Sequence, residues 1–358
     1  MSQFHSLKVK RVERNTHDSV LVSLDVPTEL REAFRFTHGQ YLTFRKAFNG
    51  QEERRSYSLC TSPLDNEWRV AIKQVPGGLF SCYAIDELKA GDTLDVMTPE
   101  GRFTAALDAK NSKVYAFFAA GSGITPVFSI MRSVLLTEPD SQVYLFYGNR
   151  GRNSIILKEE IEALKNLYVD RLSVYHILSR EVGDTELFHG RIDKAKTLEL
   201  LNKLVGLPID EAFVCGPEEM IHAVREAMQE KGLAEDKVHF ELFTTDRKQA
   251  AAAAAKREQA KSEEDKTSRV TVILDGNRLE LDMSYYGDTI LDAAAARGAD
   301  LPYSCKGGVC STCRAKVMEG TVEMDVNYSL TDREVANGFI LTCQARPTSP
   351  CVTVDFDH

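Results

Sequence analysis

The stretch Cys305-Lys-Gly-Gly-Val-Cys310-Ser-Thr-Cys313, with a fourth thiol at Cys343, decides how the rest of the chain is interpreted. Its C-x4-C-x2-C…C order is typical of plant-type [2Fe–2S] sites. The two glycines of the first loop let the backbone wrap closely around a cluster, and the small Ser-Thr pair leaves amide N–H groups free to point at sulfur. The spacing therefore predicts an electron-carrying domain with these four cysteines as iron ligands.

Zinc is the alternative that four thiolates leave open, because zinc also binds cysteine sulfur. Structural zinc sites usually pair two C-x2-C units, whereas this chain has one, at Cys310 and Cys313. The iron–sulfur interpretation is favoured for that reason. The thiols of Cys60, Cys82 and Cys351 have no metal-type spacing, and we expect the first two to lie in or beside strands as structural residues.

The length and charge of the chain limit which class of protein it can belong to. Its 358 residues predict two or three domains, and its 44 basic against 53 acidic side chains provide no positive footprint for nucleic acid. The first residues lack the apolar core of a signal peptide, and no apolar run approaches the roughly 20 residues needed to cross a bilayer. We therefore expect a cytoplasmic protein with no nucleic-acid and no membrane partner, whose cysteines are metal ligands or free thiols.

The composition changes at residues 246–267, where the alanine run Ala250–Ala255 stands among charged side chains without an apolar face. Such a segment has nothing that would hold it against a core, and we interpret it as a linker, either helical or disordered. The part that follows, residues 268–358, carries all four cluster cysteines.

The hydrophobic pattern before this linker is of two kinds. Residues 4–99 contain short alternating runs such as Val20–Val26, separated by turn signals such as Asn49-Gly50, which predicts an antiparallel barrel or sandwich. From Val114 onward apolar strands alternate with amphipathic helical patterns, which predicts a parallel sheet covered on both faces. The predicted strands of that sheet are residues 114–120, 142–147, 171–178 and 212–215.

A turn of small residues, Gly121-Ser122-Gly123-Ile124-Thr125-Pro126, joins the first of these strands to a predicted helix. Such a turn gathers N–H donors at the positive end of the helix dipole, where a pyrophosphate binds. Proline is favourable at the start of a helix. The motif lacks the third glycine of the Rossmann fingerprint, which leaves an ordinary glycine turn as the alternative.

At Arg55-Ser56-Tyr57-Ser58 the chain resembles the ferredoxin–NADP reductase-like flavoenzymes, whose flavin signature is R-x-Y-S/T. The resemblance implies that Arg55 contacts the flavin pyrophosphate, that Tyr57 packs against the isoalloxazine ring and that the Ser58 hydroxyl approaches N5. The chemistry suits these roles, because a guanidinium pairs with phosphate oxygens and an aromatic ring stacks on a flat ring. The implied cofactor is FAD, and FMN stays open because no residue identifies an adenine site.

The family's second flavin loop is similar to Gly77-Gly78-Leu79-Phe80-Ser81, whose glycine amides and Ser81 hydroxyl would hold the pyrophosphate. The family's C-G-P motif beside the nicotinamide is similar to Cys215-Gly216-Pro217, and Met220 is expected in the same pocket. By this resemblance Ser58 and Cys215 lie at the reacting atoms, and Cys215 positions the hydride donor. A buried structural thiol is the alternative for Cys215.

The resemblance also implies which nucleotide is bound. In NADP-dependent members a serine and two arginines at the places of Ser179, Arg180 and Arg191 hold the 2′-phosphate, which predicts NADPH as the electron donor. Family position also suggests Glu241 and Phe243 as residues that face the flavin.

The architecture implied by the resemblance is multidomain, with an antiparallel β-barrel flavin domain, an α/β parallel-sheet nucleotide domain and an α+β, β-grasp-like ferredoxin domain. The predicted boundaries are 1–105 for the FAD-binding barrel, 106–245 for the NAD(P)-binding domain, 246–267 for the linker and 268–358 for the ferredoxin domain.

This order of domains is that of oxygenase reductase components, and stretches such as FHSLKVKRVE and LPYSCKGGVCSTC resemble the subfamily that serves phenylacetyl-CoA epoxidases. The resemblance implies that NADPH delivers a hydride to FAD, that electrons pass singly to the [2Fe–2S] cluster, and that the recipient is a separate di-iron oxygenase acting on phenylacetyl-CoA. The alternatives are another oxygenase, a deoxysugar dehydrase as acceptor, or a regulatory metal-binding protein that has lost its flavin.

Overall fold

The computed structural model describes residues 4–181, 185–243 and 266–358. The chain divides into two compact units, of which the first is Phe4–Phe243 and the second is the C-terminal part of the chain. The predicted linker lies outside the described residues except for Lys266 and Thr267.

An antiparallel barrel forms the first part of the first unit. Its sheet has the order β4-β3-β6-β1-β2-β5, so β4 and β5 are the two ends. A bridge between Leu59 and Val70, and a hydrogen bond from the Cys60 N–H to the Arg69 carbonyl at 2.8 Å, join these ends. Closure leaves few open sheet edges, and it confirms the predicted antiparallel barrel. The strands are Phe4–Thr16 (β1), Ser19–Asp25 (β2), Tyr41–Phe48 (β3), Gln51–Ser58 (β4), Trp68–Lys73 (β5) and Thr93–Met97 (β6).

A helix that the sequence pattern did not predict, Leu79–Asp86 (α1), lies between β5 and β6 in the chain. Cys82 lies in this helix, not in or beside a strand as expected. The helix is only eight residues long and buries Phe80, Ser81 and Ala84, which is too short a segment for a helical period to be recognised.

Five parallel strands form the second part of the unit, in the order β11-β10-β7-β8-β9, which confirms the predicted parallel sheet; β11 was not among the four predicted strands. The connections run in opposite directions from β7, and open α/β sheets bind ligands at such a switch point, beyond the carboxyl ends of the strands. The strands are Val114–Ala120 (β7), Gln142–Asn149 (β8), Leu172–Leu178 (β9), Glu211–Cys215 (β10) and Val238–Glu241 (β11), and the helices are Ile124–Thr137 (α2), Lys158–Leu167 (α3), Lys194–Leu204 (α4) and Glu218–Glu230 (α5).

The C-terminal unit is an α+β domain with a five-stranded sheet in the order β13-β12-β18-β14-β16 and a separate β15-β17 pair. Its last strand, β18, runs parallel to β12 and antiparallel to β14, between the two. This arrangement agrees with the predicted ferredoxin domain. Its elements are Thr267–Leu274 (β12), Asn277–Ser284 (β13), Ile290–Ala296 (α6), Arg314–Glu319 (β14), Val322–Met324 (β15), Asp332–Ala336 (α7), Phe339–Leu341 (β16), Ala345–Pro347 (β17) and Cys351–Asp355 (β18). Within the described ranges no helix is long and apolar enough to cross a membrane.

A buried carboxylate joins the strands of the parallel sheet at their amino ends. Glu211 accepts a hydrogen bond from Lys113 Nζ at 2.7 Å and lies 3.2 Å from His239 Nε2. Burial alone would raise the pKa of Glu211, but the hydrogen bonds from His239 and Lys113 outweigh it and lower the pKa from 4.5 to about 2. Because the pKa is lower in the folded chain, this carboxylate stabilises the fold above about pH 4.5 and loses that effect as the pH falls toward about 2.

We therefore expect Glu211→Gln to lower the urea midpoint of the first unit at neutral pH, by an amount that shrinks as the pH falls from about 4.5 to about 2. The fluorescence of Trp68, the one tryptophan of the chain, reports unfolding of this unit. A difference between wild type and variant that stays constant down to the lowest pH would contradict the role assigned to this carboxylate.

Candidate cofactor sites

The predicted flavin signature forms the second half of β4, the first strand in the order of the barrel sheet. Strand pairing with β3 alternates its side chains, so that Ser58 is buried with 4% exposure and Arg55 is exposed. Ser56 hydrogen-bonds across the pair to Thr43 at 3.1 Å. Arg55 is paired with the Glu53 carboxylate. Burial raises the pKa of the Tyr57 hydroxyl, which keeps it neutral.

The second flavin loop lies beside this strand. The ring of Phe80, in the first turn of α1, has its centroid 5.7 Å from that of Tyr57, so the two predicted flavin motifs are in contact. Gly77 has φ +77°, a conformation that favours glycine, and Gly78 precedes α1 without a side-chain cap. The backbone N–H groups at this helix start can bind a phosphate. The Ser81 hydroxyl accepts a hydrogen bond from the Val75 N–H at 3.1 Å, so it shapes the loop, and its direct contact with pyrophosphate stays a prediction.

The predicted nucleotide turn and the C-G-P turn meet at the carboxyl edge of the parallel sheet. Strands β7 and β10 are neighbours, with Ala119 opposite Cys215. A Cβ on Gly123 would collide with the carbonyl oxygen of Cys215, so the approach of the two turns requires glycine. The buried side chain of Met220 packs beside Gly216, and its place in a nicotinamide pocket stays a prediction.

The helix start differs in one detail from the prediction. Residues Gly121–Gly123 form a short 3₁₀ turn that runs directly into α2, and Thr125 donates to the Ser122 carbonyl at 3.0 Å. Because α2 begins at Ile124, Pro126 is the third residue of the helix and not its first. It still lies in the first turn, where a missing N–H is tolerated.

A carboxyl group completes this edge. Glu241, at the end of β11, is the register partner of Cys215, and its Oε2 atom is buried without a hydrogen-bond partner. Burial raises the pKa of Glu241 to about 8 and that of the Cys215 thiol well above its usual value. Both groups are therefore neutral at neutral pH. A polar group of a ligand bound at this edge could supply the missing hydrogen bond to the Glu241 oxygen. Phe243, two residues further along the chain, is exposed.

Sequence reasoning missed Lys73, a cation near the Gly121–Gly123 turn. The Nζ of Lys73, the last residue of β5, lies 4.0 Å from the position that a Cβ would take on Gly121, and 3.6 Å from Asp18 Oδ2. A lysine beside a glycine turn adds positive charge where a pyrophosphate binds. The sequence signal that could have found Lys73 is its position at the end of an alternating strand, shortly before the Gly77-Gly78 loop.

The residues predicted to hold a 2′-phosphate follow or lie near the end of β9, the strand at the edge of the sheet. The Ser179 N–H donates to the Asn149 carbonyl at 2.9 Å, and the Arg180 N–H donates to the Arg150 carbonyl at 2.9 Å. The Gly190 N–H donates to the Leu178 carbonyl at 3.1 Å, so the residue before Arg191 is bonded to the end of β9. Both arginine side chains are exposed.

The loop that carries three of the predicted cluster ligands is folded by left-handed residues. Lys306, Gly308 and Ser311 have φ of +49°, +77° and +57°. These turns direct backbone N–H groups inward, and the Gly307 N–H donates to Cys305 Sγ at 3.3 Å. Hydrogen bonds to sulfur of this kind stabilise thiolates and tune a bound cluster.

The four thiols lie as two close pairs. The thiol of Cys310 donates to Cys305, which lowers the pKa of Cys305 to about 6, and Cys313 donates to Cys343, which lowers the pKa of Cys343. Among the residues that the structure describes, no three His, Cys, Asp or Glu side chains converge on the point that one metal ion would occupy. Two thiols for each of two irons is the arrangement of a [2Fe–2S] cluster, whereas one tetrahedral zinc needs all four together.

Comparison with known proteins identifies three domains in the chain. Family models described as an oxidoreductase FAD-binding domain, an oxidoreductase NAD-binding domain and a 2Fe-2S iron-sulfur cluster binding domain match residues 6–105, 117–226 and 272–348. One subunit of 1,2-phenylacetyl-CoA epoxidase from Escherichia coli is 42% identical over 100% of this chain and 99% of its own length. The ferredoxin reductase component of 3-ketosteroid-9-alpha-monooxygenase from Rhodococcus rhodochrous is 35% identical over 98% of this chain and 96% of its own length.

The crystal structure of phthalate dioxygenase reductase shares the fold, with a TM-score of 0.59 and 22% identity over 99% of this chain and 98% of its own. Fold and sites together define an NAD(P)H-dependent flavin iron–sulfur oxidoreductase that uses FAD, a [2Fe–2S] cluster and a pyridine nucleotide. The chain belongs to the family of ferredoxin reductase-like proteins that includes this phenylacetyl-CoA epoxidase component.

Proposed function

We propose that this chain is the reductase component of a multicomponent oxygenase, and specifically of a di-iron phenylacetyl-CoA epoxidase. The observation that carries the proposal is 42% identity over the whole chain to one component of such an epoxidase. In this role bound FAD would supply the conversion of an electron pair from NADPH into single electrons, and a bound [2Fe–2S] cluster would supply one-electron transfer to the oxygenase.

The residues of the chain bind and orient these groups. In the proposal the flavin is held by the signature residues Arg55, Ser56 and Tyr57 and by the loop of Gly77, Gly78, Phe80 and Ser81. The nicotinamide half of NADPH is held by the turns at Gly121–Pro126 and Cys215–Pro217. The neutral Cys215 and Glu241 side chains keep that site free of competing charge. Cys305, Cys310, Cys313 and Cys343 ligate the cluster.

The test is reconstitution with the purified oxygenase components of a phenylacetyl-CoA epoxidase. We expect NADPH oxidation to be coupled to epoxidation of phenylacetyl-CoA, with little uncoupled consumption when the oxygenase is omitted. The same assay with the oxygenase component of a 3-ketosteroid-9-alpha-monooxygenase serves as the control. Equal coupling to both oxygenases would contradict the specific assignment and leave a general oxygenase reductase.

A reductase for another oxygenase is the second candidate, because the relatives with 35% and 30% identity are reductase components of 3-ketosteroid-9-alpha-monooxygenase and of glycine betaine monooxygenase. The reconstitution assay distinguishes these partners.

The preference for NADPH is supported by the surroundings of Arg180. An acidic residue at the end of this strand, Glu181, would ordinarily suggest a bond to the ribose 2′-OH of NADH. Its Oε1 accepts a hydrogen bond from the Arg152 N–H at 3.0 Å, and its carboxylate packs against Gly151. The acid is therefore engaged with the neighbouring loop, whereas Arg180 and Arg191 are exposed.

We expect Arg180→Ala to raise the KM for NADPH by roughly tenfold to a hundredfold and to change the KM for NADH little, because a charge-assisted hydrogen bond contributes about 1.5–3 kcal/mol. Steady-state assays with both nucleotides measure this. Arg35→Ala, which removes an exposed arginine paired with Glu32, is the matched control. A wild-type enzyme that already uses NADH as well as NADPH would defeat the hypothesis.

A further inference from the structure

One face of helix α2 is bonded to the barrel through polar side chains. The Ser129 hydroxyl donates to the Thr61 carbonyl at 2.6 Å. Arg132 binds both carboxylate oxygens of Asp65, with N–O distances of 2.7–3.0 Å. Ser133 Oγ lies 2.9 Å from Ser62 Oγ. We call these contacts, between Ser129, Arg132 and Ser133 of α2 and the segment 61–65, the α2 seam.

Short lengths of chain connect the seam to the flavin-binding strand and to the nicotinamide-binding turn, between which the hydride passes in the proposed function. Segment 61–65 begins three residues after Ser58, the last residue of the flavin signature. Helix α2 begins at Ile124, directly after the Gly121–Gly123 turn of the nicotinamide site. A shift of α2 along the barrel would therefore move that turn relative to the flavin strand.

Apolar packing between the two parts does not by itself prevent such a shift. Leu21, Cys60 and Ala71 on the outside of the barrel share one core with Val127 and Phe128 of α2. Hydrophobic contact is non-directional and resists separation more than sliding, whereas hydrogen bonds require fixed distances and angles. The directional contacts of the seam thus fix the register, together with the Arg69–Glu160 ion pair and the hydrogen bond from the Leu157 N–H to Asn15 Oδ1.

The seam also borders a cleft between the barrel and helices α2 and α3, so side-chain packing alone does not fix how these two parts are placed. A cavity of about 320 Å³ between the barrel and helices α2 and α3 is lined in part by Thr61, Asp65 and Arg132. On its opposite wall Arg69 Nη1 lies 3.3 Å from Glu160 Oε1. The two parts therefore meet around open space through ion pairs, and the geometry across the cleft depends on those pairs.

We propose that Ser129 and Arg132 are positioning residues, which hold the nicotinamide-binding turn at the distance from the flavin-binding strand that hydride transfer requires. The inference rests on the flavin and nucleotide sites of the proposed function. Neither residue touches a cofactor; each acts through the segment that follows the flavin signature.

The test compares Ser129→Ala, Asp65→Asn and Arg132→Lys in the full-length holoprotein. Asp65→Asn removes the charge partner of Arg132 but keeps an oxygen for the Ser62 N–H, which Asp65 Oδ2 accepts at 2.8 Å. Stopped-flow measurement at saturating NADPH should show FAD reduction slowed by roughly tenfold to a hundredfold, since a misplacement of about 1 Å has an effect of this size. The Kd for NADP⁺ and the FAD content should stay close to wild type, and Arg132→Lys should retain part of the rate.

A second readout needs no turnover. Hydrogen exchange of the amides of residues 121–124, measured in flavin-free protein, should be faster in Ser129→Ala than in wild type. Lys203→Met, which removes an exposed ion pair with Glu199 on α4, is the control and should change neither readout.

Wild-type rates of FAD reduction in both Ser129→Ala and Asp65→Asn would overturn the inference. So would a loss of rate matched by an equal loss of nucleotide affinity, or one reproduced by Lys203→Met. If Arg132→Lys fails to fold, the other two variants still decide. A wild-type protein whose FAD is not reduced by NADPH would instead contradict the proposed function, so the two failures are distinguishable.

Discussion

Cys310→Ser is expected to abolish electron delivery to the oxygenase while FAD reduction by NADPH stays close to the wild-type rate. Cys310 is paired with Cys305 in the C-terminal unit, and a serine in its place removes one of four thiolates from the cluster site. The flavin and nucleotide motifs lie in the other unit, Phe4–Phe243, which keeps all of its residues. Stopped-flow absorbance of FAD and of an acceptor, followed in the same mixture, measures both steps.

The matched control is Cys351→Ser. Cys351 is an exposed thiol on β18 of the same unit, so its replacement makes the same chemical change away from the four predicted ligands. We expect the control to keep its visible iron–sulfur absorbance and its full rate of acceptor reduction. Acceptor reduction that persists at the normal rate in Cys310→Ser would show that the cluster is not on the electron route.

The cluster loop could be predicted from the sequence because its chemistry is local. Three of the four ligands lie within nine residues, and the loop between them is shaped by residues such as Gly308, whose φ is +77°. Most strands of the parallel sheet were predictable for the same reason, since alternation and apolar runs are properties of short windows. The flavin strand, Gln51–Ser58, was found instead through the resemblance of Arg55–Ser58 to a family signature. Helix α1 was missed because eight residues with one buried face give too short a pattern.

Contacts between distant residues could not be predicted in this way. Lys73 approaches the Gly121 turn only because β5 ends where the barrel meets the parallel sheet. The partners of the α2 seam, such as Asp65 and Arg132, are 67 residues apart, and each alone has the pattern of an ordinary surface charge. The high pKa of Glu241 likewise depends on burial by elements far along the chain.

The tight approach of the two nucleotide-site turns makes Gly123→Ala the second substitution with a large expected effect. The added methyl group would collide with the carbonyl oxygen of Cys215 and would lie only 3.1 Å from the Gly216 nitrogen. Both obstacles are backbone atoms, so a side-chain rotation cannot relieve the collision and the turns must separate. We expect FAD reduction by NADPH to fall by about a hundredfold, the size of effect that a shift of about 1 Å has at a reacting centre.

The flavin and cluster sites should survive this change, because neither uses Gly123. FAD content and reduction of the cluster by dithionite should match wild type, while stopped-flow reduction by NADPH is slow at every nucleotide concentration. Gly206→Ala is the control, since a Cβ at Gly206 meets no atom within 4 Å. If Gly123→Ala reduces its FAD as fast as Gly206→Ala does, the two turns do not form the nicotinamide site. A loss of rate confined to Gly123→Ala would link the close contact of Gly123 with Cys215 directly to hydride transfer.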